Sequence, residues 1–215
     1  YMTAISEPVL KNEGCIIKFI GDASLHVHGA PLYDANHARM AVQTGLDMIE
    51  AVRVFNEKLK AKGRPPIGMG VGVNTGPTLI GNIGSKSRFG YDVLGDTVSL
   101  TARLEGQTKG YGVLIILGPT TAEYVKDYFP LAELDCIAVK GKTIGVKMYT
   151  IAEISPDHQH YLNAYYDGDW FSATVICKRL VKQPGDLQHY YELMLDRLKG
   201  GCPANWDGTY HATSK

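Results

Sequence analysis

The sequence predicts an α+β fold of the ferredoxin-like, split βαβ kind, with helices on an antiparallel sheet and a helical appendage after it. Three observations predict it. Strand pairs around tight turns alternate with helical stretches over residues 1–153. Residues 34–62 keep apolar side chains at the three-and-four spacing of a half-buried helix. After Pro156 the texture becomes aromatic-rich and helical, with turn signals at Asp167-Gly168 and Pro184-Gly185-Asp186. The expected division is a domain over 1–153 and a helical extension over 154–215.

Taken in order, residues 2–12 read as the back half of an amphipathic helix that Gly14 ends. Residues 15–20 (CIIKFI) and 24–28 (SLHVH) read as two strands joined at Gly21-Asp22, hence a β-hairpin. Asp34 is placed to cap a long helix running to about Lys62, stopped by the Gly63–Pro66 segment. Residues 67–75 (IGMGVGVNT) alternate glycine with apolar residues and read as a strand, with 78–83 as its hairpin partner and 84–90 as a loop. Asp96 is a natural N-cap for a helix from about Thr97 to Lys109. Residues 113–117 (VLIIL) read as a buried strand, 119–127 as a short helix, and 132–139 and 145–153 as strands flanking Lys140-Gly141-Lys142. Residues 157–199 read as two or three short helices forming an antiparallel hairpin, and 201–215 as loop.

Composition narrows the function classes. The 215 residues are 45% hydrophobic and 20% charged, a balance that excludes a disordered tail, a collagen-like fibre and a disulfide-dense mini-protein. Lys plus Arg and Asp plus Glu are both 22, so no net field points to nucleic acid or to an acidic membrane. No apolar run approaches the roughly 20 residues that span a bilayer. Cys15, Cys136, Cys177 and Cys202 have no metal-ligand spacing, and the expectation is reduced thiols in a cytoplasmic protein.

The stretches that carry chemistry are K-F-I-G-D-A at 18–23, N-T-G-P-T-L-I-G-N-I-G-S at 74–85, Y-D-V-L-G-D-T-V-S-L-T-A-R-L-E-G at 91–106 and V-K-G-K at 139–142. Taken alone, each key residue has a bland reading. Asp22 is a turn residue, Lys18 a strand lysine facing solvent, Asp92 an exposed charge before a helix, Arg103 a partner for a carboxylate, and Lys140 a hairpin lysine. Ser99 and Arg103 are four apart on one helix and so share a face. The glycines at 68–84 do not form a phosphate loop, lacking the G-x-x-x-x-G-K-[ST] order, and are expected to allow close packing of two protomers.

Together, in this order and spacing, the four stretches resemble the catalytic domain of class III nucleotidyl cyclases over about residues 1–153. The resemblance implies that Asp22 is one of two aspartates holding two divalent ions, Mg2+ or Mn2+. The other aspartate belongs to an opening strand with an F-x-D-I-x-G-F-T-like segment, which this sequence does not contain. It implies that Lys18 and Asp92 read the purine, Lys18 donating to adenine N1 and Asp92 accepting from the 6-amino group, so that ATP is the substrate. It implies that Arg103 holds the α-phosphate in the transition state and Lys140 the β- and γ-phosphates. Ser99 stands where many members carry an asparagine that positions the ribose. The implied reaction is attack of the 3′-hydroxyl on the α-phosphorus, giving cyclic AMP and pyrophosphate. The implied partner is a second cyclase domain, as a homodimer or otherwise, with Asp22 from one protomer and the other residues from its mate. Any membrane attachment would come through modules outside this sequence. Two alternatives stay open: a catalytically silent cyclase-like domain that binds nucleotide and regulates, and a guanylate cyclase, which Lys18 disfavours.

Overall fold

The computed structural model describes residues 1–138 and 145–211. In chain order the elements are α1 (Met2–Lys11), β1 (Cys15–Ile20), β2 (Ala23–Val27), α2 (His37–Ala61), β3 (Val71–Val73), β4 (Leu79–Ser85), β5 (Arg88–Leu94) and α3 (Asp96–Tyr111). There follow β6 (Ile115–Leu117), α4 (Pro119–Val125), β7 (Leu131–Ala138), β8 (Val146–Ile151), α5 (Pro156–Tyr166), α6 (Trp170–Leu180), α7 (Gln188–Leu198) and β9 (Tyr210–His211).

The strands form a five-stranded sheet in the order β3-β6-β8-β7-β9 and two separate hairpins, β1-β2 and β4-β5. The sheet is mixed rather than antiparallel: β3 with β6, and β7 with β9, run parallel. β6 explains how the layers stack. Its three residues are all apolar, without the alternation of a half-solvated strand, because both faces are covered. Ile115 and Leu117 enter a core with Val42 of α2 and Val71 and Val73 of β3. Ile116 enters the opposite core, with Leu104 and Tyr111 of α3 and the side chains of α5–α7. Helices therefore lie on both faces of the sheet, not on one.

Local differences from the sequence reading have identifiable causes. Residues 67–70 are not in a strand, and β3 pairs with β6 instead of with 78–83. The partner of β4 is β5, and between them the two strands take in 84–85 and 88–90 of the expected loop. Gly76-Pro77 breaks the chain direction after β3, while Lys86-Ser87 makes the tight turn that lets Ser85 pair with Arg88. Asp34 does not cap α2. Its carboxylate accepts from the Asn36 N–H at 2.8 Å, and the helix begins one residue beyond Asn36. Asp96 is the first helical residue of α3, with Gly95 at the cap position.

Helices α5 and α7 dock on β7, which offers three consecutive residues for the purpose, and α6 packs on those two helices. The Tyr166 hydroxyl donates to the Glu133 carboxylate at 2.9 Å, and the Tyr190 hydroxyl to the Leu134 carbonyl at 2.6 Å. Asp135 has a fully buried side chain that accepts from both the Tyr111 hydroxyl and the Arg197 guanidinium at 2.5 Å. Burial pushes the Asp135 carboxyl above the usual carboxylate range, even with Arg197 beside it. His158 sits between β7 and α7. Its Nε2 lies 2.8 Å from the Glu133 carbonyl, which can only accept, so Nε2 carries the proton. Nδ1 then accepts from the Tyr191 hydroxyl at 2.8 Å.

Two predictions concern this docking. Arg197→Met leaves the Asp135 carboxylate buried without its cation, and urea unfolding should show a loss of about 3–5 kcal/mol. Adding Asp135→Asn to that variant should recover part of the loss. The second prediction is a pH dependence. Burial lowers the His158 pKa below the ordinary imidazole value, so the folded state binds fewer protons there than the unfolded state. Stability is fully present above the unfolded pKa of about 6.5 and falls as the pH drops toward the folded one. Urea midpoints measured at pH 7 and pH 5 should converge in His158→Gln relative to the unsubstituted protein.

Candidate active site

The β1-β2 hairpin closes on a two-residue turn, Gly21-Asp22, between the paired residues Ile20 and Ala23. Gly21 has φ 63°, the left-handed value that glycine-first hairpin turns require. The turn leaves Asp22 exposed at the hairpin tip. Further down β1 the register shifts between Ile16 and Lys18, so Ile17 is a bulge residue and Lys18 pairs with Leu25. Bulges re-aim the side chains beside them. Lys18 meets the second hairpin: its Nζ lies 2.6 Å from Asp92 Oδ2.

Asp92 lies on β5, opposite Gly81. Its other carboxylate oxygen accepts from the Val93 N–H at 2.8 Å. The hydrogen bond from Lys18, with that from Val93, holds the Asp92 carboxyl below the usual carboxylate range. The pair is a donor and an acceptor side by side, each partly open to solvent.

Four residues after Asp92 the chain enters α3. The entry is fixed by contacts that the sequence reading did not single out. Asn74 Nδ2 donates to the Thr97 carbonyl at 3.1 Å, and the Thr97 hydroxyl donates to the Pro77 carbonyl at 2.8 Å. The signal was present in the N-T-G-P run after β3. Within the glycine-rich stretch, Gly72 lies against α3 of the same chain. A Cβ there would stand 2.6 Å from the Glu105 backbone nitrogen, so glycine is what lets α3 lie flush on β3. On α3, Ser99 is exposed and Arg103, one turn on, is half-buried. Arg103 has no hydrogen bond or ion pair with any described residue.

Lys18 and Asp92 are thus brought together, and Ser99 and Arg103 share a helix that begins just beyond β5. Asp22 stands apart at its hairpin tip. Lys140 lies outside the described residues. Among the described residues no group of three His, Cys, Asp or Glu side chains could hold a metal ion. Asp22 is a single hard-oxygen donor, and by themselves these residues do not make a site for two divalent ions.

A cleft of about 340 Å3 contains none of these residues. It lies between β2 and β3, and its lining includes Leu25, Val27, Val71, Val73 and three histidines, His26, His28 and His37. Among the described residues each of these two strands has one strand neighbour, β1 and β6 respectively, and leaves its other edge unpaired. His26 Nδ1 and His28 Nε2 are buried without a hydrogen-bond partner. Burial, with the neighbouring His28, pushes the His26 imidazole down to about 4, which keeps it neutral at pH 7. All four cysteines are free thiols, and no described helix is long and apolar enough to cross a membrane.

Comparison with known proteins assigns the family. Residues 3–153 match the model of the adenylate and guanylate cyclase catalytic domain. Adenylate cyclase 1 of Rhizobium meliloti (strain 1021) is 31% identical over 154 residues, covering 72% of this chain and 23% of that protein. The adenylate cyclase of Anabaena cylindrica is 28% identical over 158 residues, covering 70% of this chain and 30% of that protein. The chain thus spans less than a third of the length of these relatives. Among solved structures, the guanylyl cyclase Cya2 aligns with a TM-score of 0.65 at 32% identity, covering 73% of this chain and 78% of that one. The adenylyl cyclase CyaB from P. aeruginosa aligns with a TM-score of 0.63 at 28% identity, covering 73% and 80%. With its hairpins, its α3 and its family match running through the same residues, this chain belongs to the class III adenylate and guanylate cyclase catalytic domain family.

Proposed function

We propose that the domain is an adenylate cyclase, converting ATP to 3′,5′-cyclic AMP and pyrophosphate at a site shared between two cyclase domains. The observation that carries this reading is the Lys18–Asp92 pair. An ammonium donor beside a carboxylate acceptor complements the adenine edge, where N1 accepts and the 6-amino group donates. Guanine presents the opposite order on the same edge, with N1–H donating and O6 accepting. Hydrogen bonding from Lys18 keeps Asp92 ionised and therefore an acceptor at neutral pH.

The reaction is intramolecular. The 3′-oxygen forms a bond to the α-phosphorus, the bond from that phosphorus to the bridging oxygen breaks, and pyrophosphate leaves. This chain's residues contribute orientation and charge. Arg103, without a hydrogen bond or ion pair among the described residues, donates to the α-phosphoryl oxygens as they gain charge. Ser99, one turn away, offers a hydroxyl toward the ribose. Lys140 binds the β- and γ-phosphates. Asp22 gives one carboxylate toward divalent ions, Mg2+ or Mn2+.

A shared site is supported by where apolar surface stays exposed. Phe19 and Ile20 on β1 are 48% and 57% exposed, and Leu79 on β4 and Phe89 on β5 are 66% and 69% exposed. These are the hairpins that carry Lys18, Asp22 and Asp92, and exposed apolar clusters of this kind mark association surfaces. A guanylate cyclase is the second reading, favoured by the likeness to the guanylyl cyclase Cya2.

The purine assignment is tested in the full-length protein by the ratio of ATP to GTP turnover. Lys18→Glu with Asp92→Cys exchanges donor for acceptor and should move the ratio toward GTP by about tenfold or more. An unchanged ratio overturns the assignment, a parent protein that prefers GTP supports the guanylate reading, and no cyclic product from either nucleotide supports a silent domain. Arg103→Ala should cost about 10²–10³ in kcat. Mixed with inactive Asp22→Asn protein, it should recover activity, because one of the two heterodimer sites keeps both intact halves. No recovery after demonstrated subunit exchange counts against a shared site.

A further inference from the structure

We infer that Tyr111 is a positioning residue for Arg103, and that through it helix α7 sets the placement of α3 from beyond the residues of the family match. The inference rests on the proposed role of Arg103 at the α-phosphate. Both residues stand on α3, Arg103 in its middle and Tyr111 as its last residue. Arg103 has no hydrogen bond or ion pair with any described residue, so its position is set by the helix that carries it. The family match ends at residue 153, and α7 spans Gln188–Leu198.

Contacts from α7 converge on the end of α3. The Arg197 guanidinium carbon lies 5.1 Å from the centre of the Tyr111 ring. The Tyr190 ring stacks beside the same ring, with centroids 6.5 Å apart and planes 19° from parallel. Gly112 closes α3 in the left-handed conformation, at φ 65°. It is covered by α7: a Cβ there would stand 2.5 Å from His189 Cδ2 and 3.0 Å from Leu193 Cδ1. The Tyr111 hydroxyl joins these contacts to the sheet, because the Asp135 oxygen that accepts from it also accepts from Arg197. Tyr111 is buried, so its hydroxyl needs that partner, and the helix end cannot turn or slide without losing it.

The helix acts as a lever. Its start is tied at Thr97. At 1.5 Å of rise per residue, Arg103 lies about 9 Å and Tyr111 about 21 Å beyond that tie. A displacement of the Tyr111 end therefore reaches Arg103 reduced to roughly two-fifths. Transition-state contacts are sensitive on that scale, since a misplacement of about 1 Å can cost about 10²-fold. The purine-reading pair stands on β1 and β5, so binding of the base does not depend on α3 in the same way.

The test is steady-state turnover, in the full-length protein, of whichever of ATP and GTP the parent prefers. Tyr111→Phe removes the hydroxyl and keeps the ring beside Arg197 and Tyr190. It should lower kcat by about 5–10-fold and leave KM within about twofold. Leu193→Ala loosens the contact at Gly112, keeps Tyr111, Asp135 and Arg197, and serves as a second variant should Tyr111→Phe fail to fold; the same kcat-selective loss is expected. In an Arg103→Ala background neither substitution should lower kcat further. A loss carried mainly in KM, no loss in either parameter, or an undiminished kcat loss in the Arg103→Ala background overturns the inference. If Arg103→Ala alone leaves kcat unchanged, or the parent turns over neither nucleotide, the role of Arg103 falls, and the inference with it. If Arg103→Ala lowers kcat while Tyr111→Phe and Leu193→Ala do not, only the inference falls.

Discussion

A single buried guanidinium organises the junction on which the rest of the structure depends. Arg197 projects from α7 and has a side chain only 16% exposed. A charge at that depth persists only where its hydrogen bonds are answered. Asp135 answers from β7, the Tyr165 hydroxyl from α5 at 3.1 Å, and the Tyr111 and Tyr210 rings flank it from α3 and β9. Five elements from distant parts of the sequence thus meet at one cation. Apolar burial around them sets the amount of stabilisation, but it is not directional. The charge, which tolerates few geometries, fixes how these elements are set against one another.

The helix α3 carries that constraint toward the chemistry. Leu104, Thr108 and Tyr111 face the core, and Ser99 and Arg103 lie on the more open side. At its start α3 is tied to the β3-β4 connection by Asn74 and Thr97, and at its end the Tyr111 hydroxyl is tied to Asp135. Gly72 removes the side chain that would otherwise hold the helix away from β3. Under the proposed reading, a helix fixed at both ends and seated close on β3 keeps its arginine in place without a hydrogen bond or ion pair to the arginine from any described residue.

Much of this was legible in the sequence. The β1-β2 hairpin and α2 follow from strong local patterns, a Gly-Asp turn between apolar runs and a helical period held over many residues. The residues proposed for the site stand out only through the order and spacing of four motifs, since each alone reads as turn, surface or solvent-facing charge. Pairing of β4 with β5 was hidden because polar Ser85, Ser87 and Arg88 read as loop, although their side chains simply face outward. β9 is too short to leave a periodic trace. Asp135 did leave one, as a carboxylate that, with Glu133, interrupts the apolar run LAELDCIA. Its cation is 62 residues away on another helix, and no local rule links the two.

Under the proposed reading, the Lys18–Asp92 contact has a consequence for how a base is told apart from its rivals. The two groups already hold each other, so neither stands as a bare charge. The ammonium keeps two further N–H donors and the carboxylate further lone pairs, so the pair can stay joined while each group turns one atom to the base. A purine that offers a partner to the lysine alone leaves the carboxylate unanswered on that side, and one that suits the carboxylate alone does the same to the lysine. Discrimination then works as a logical conjunction: two weak criteria, each met by many molecules, become one strict criterion because the joined pair presents both at a fixed spacing.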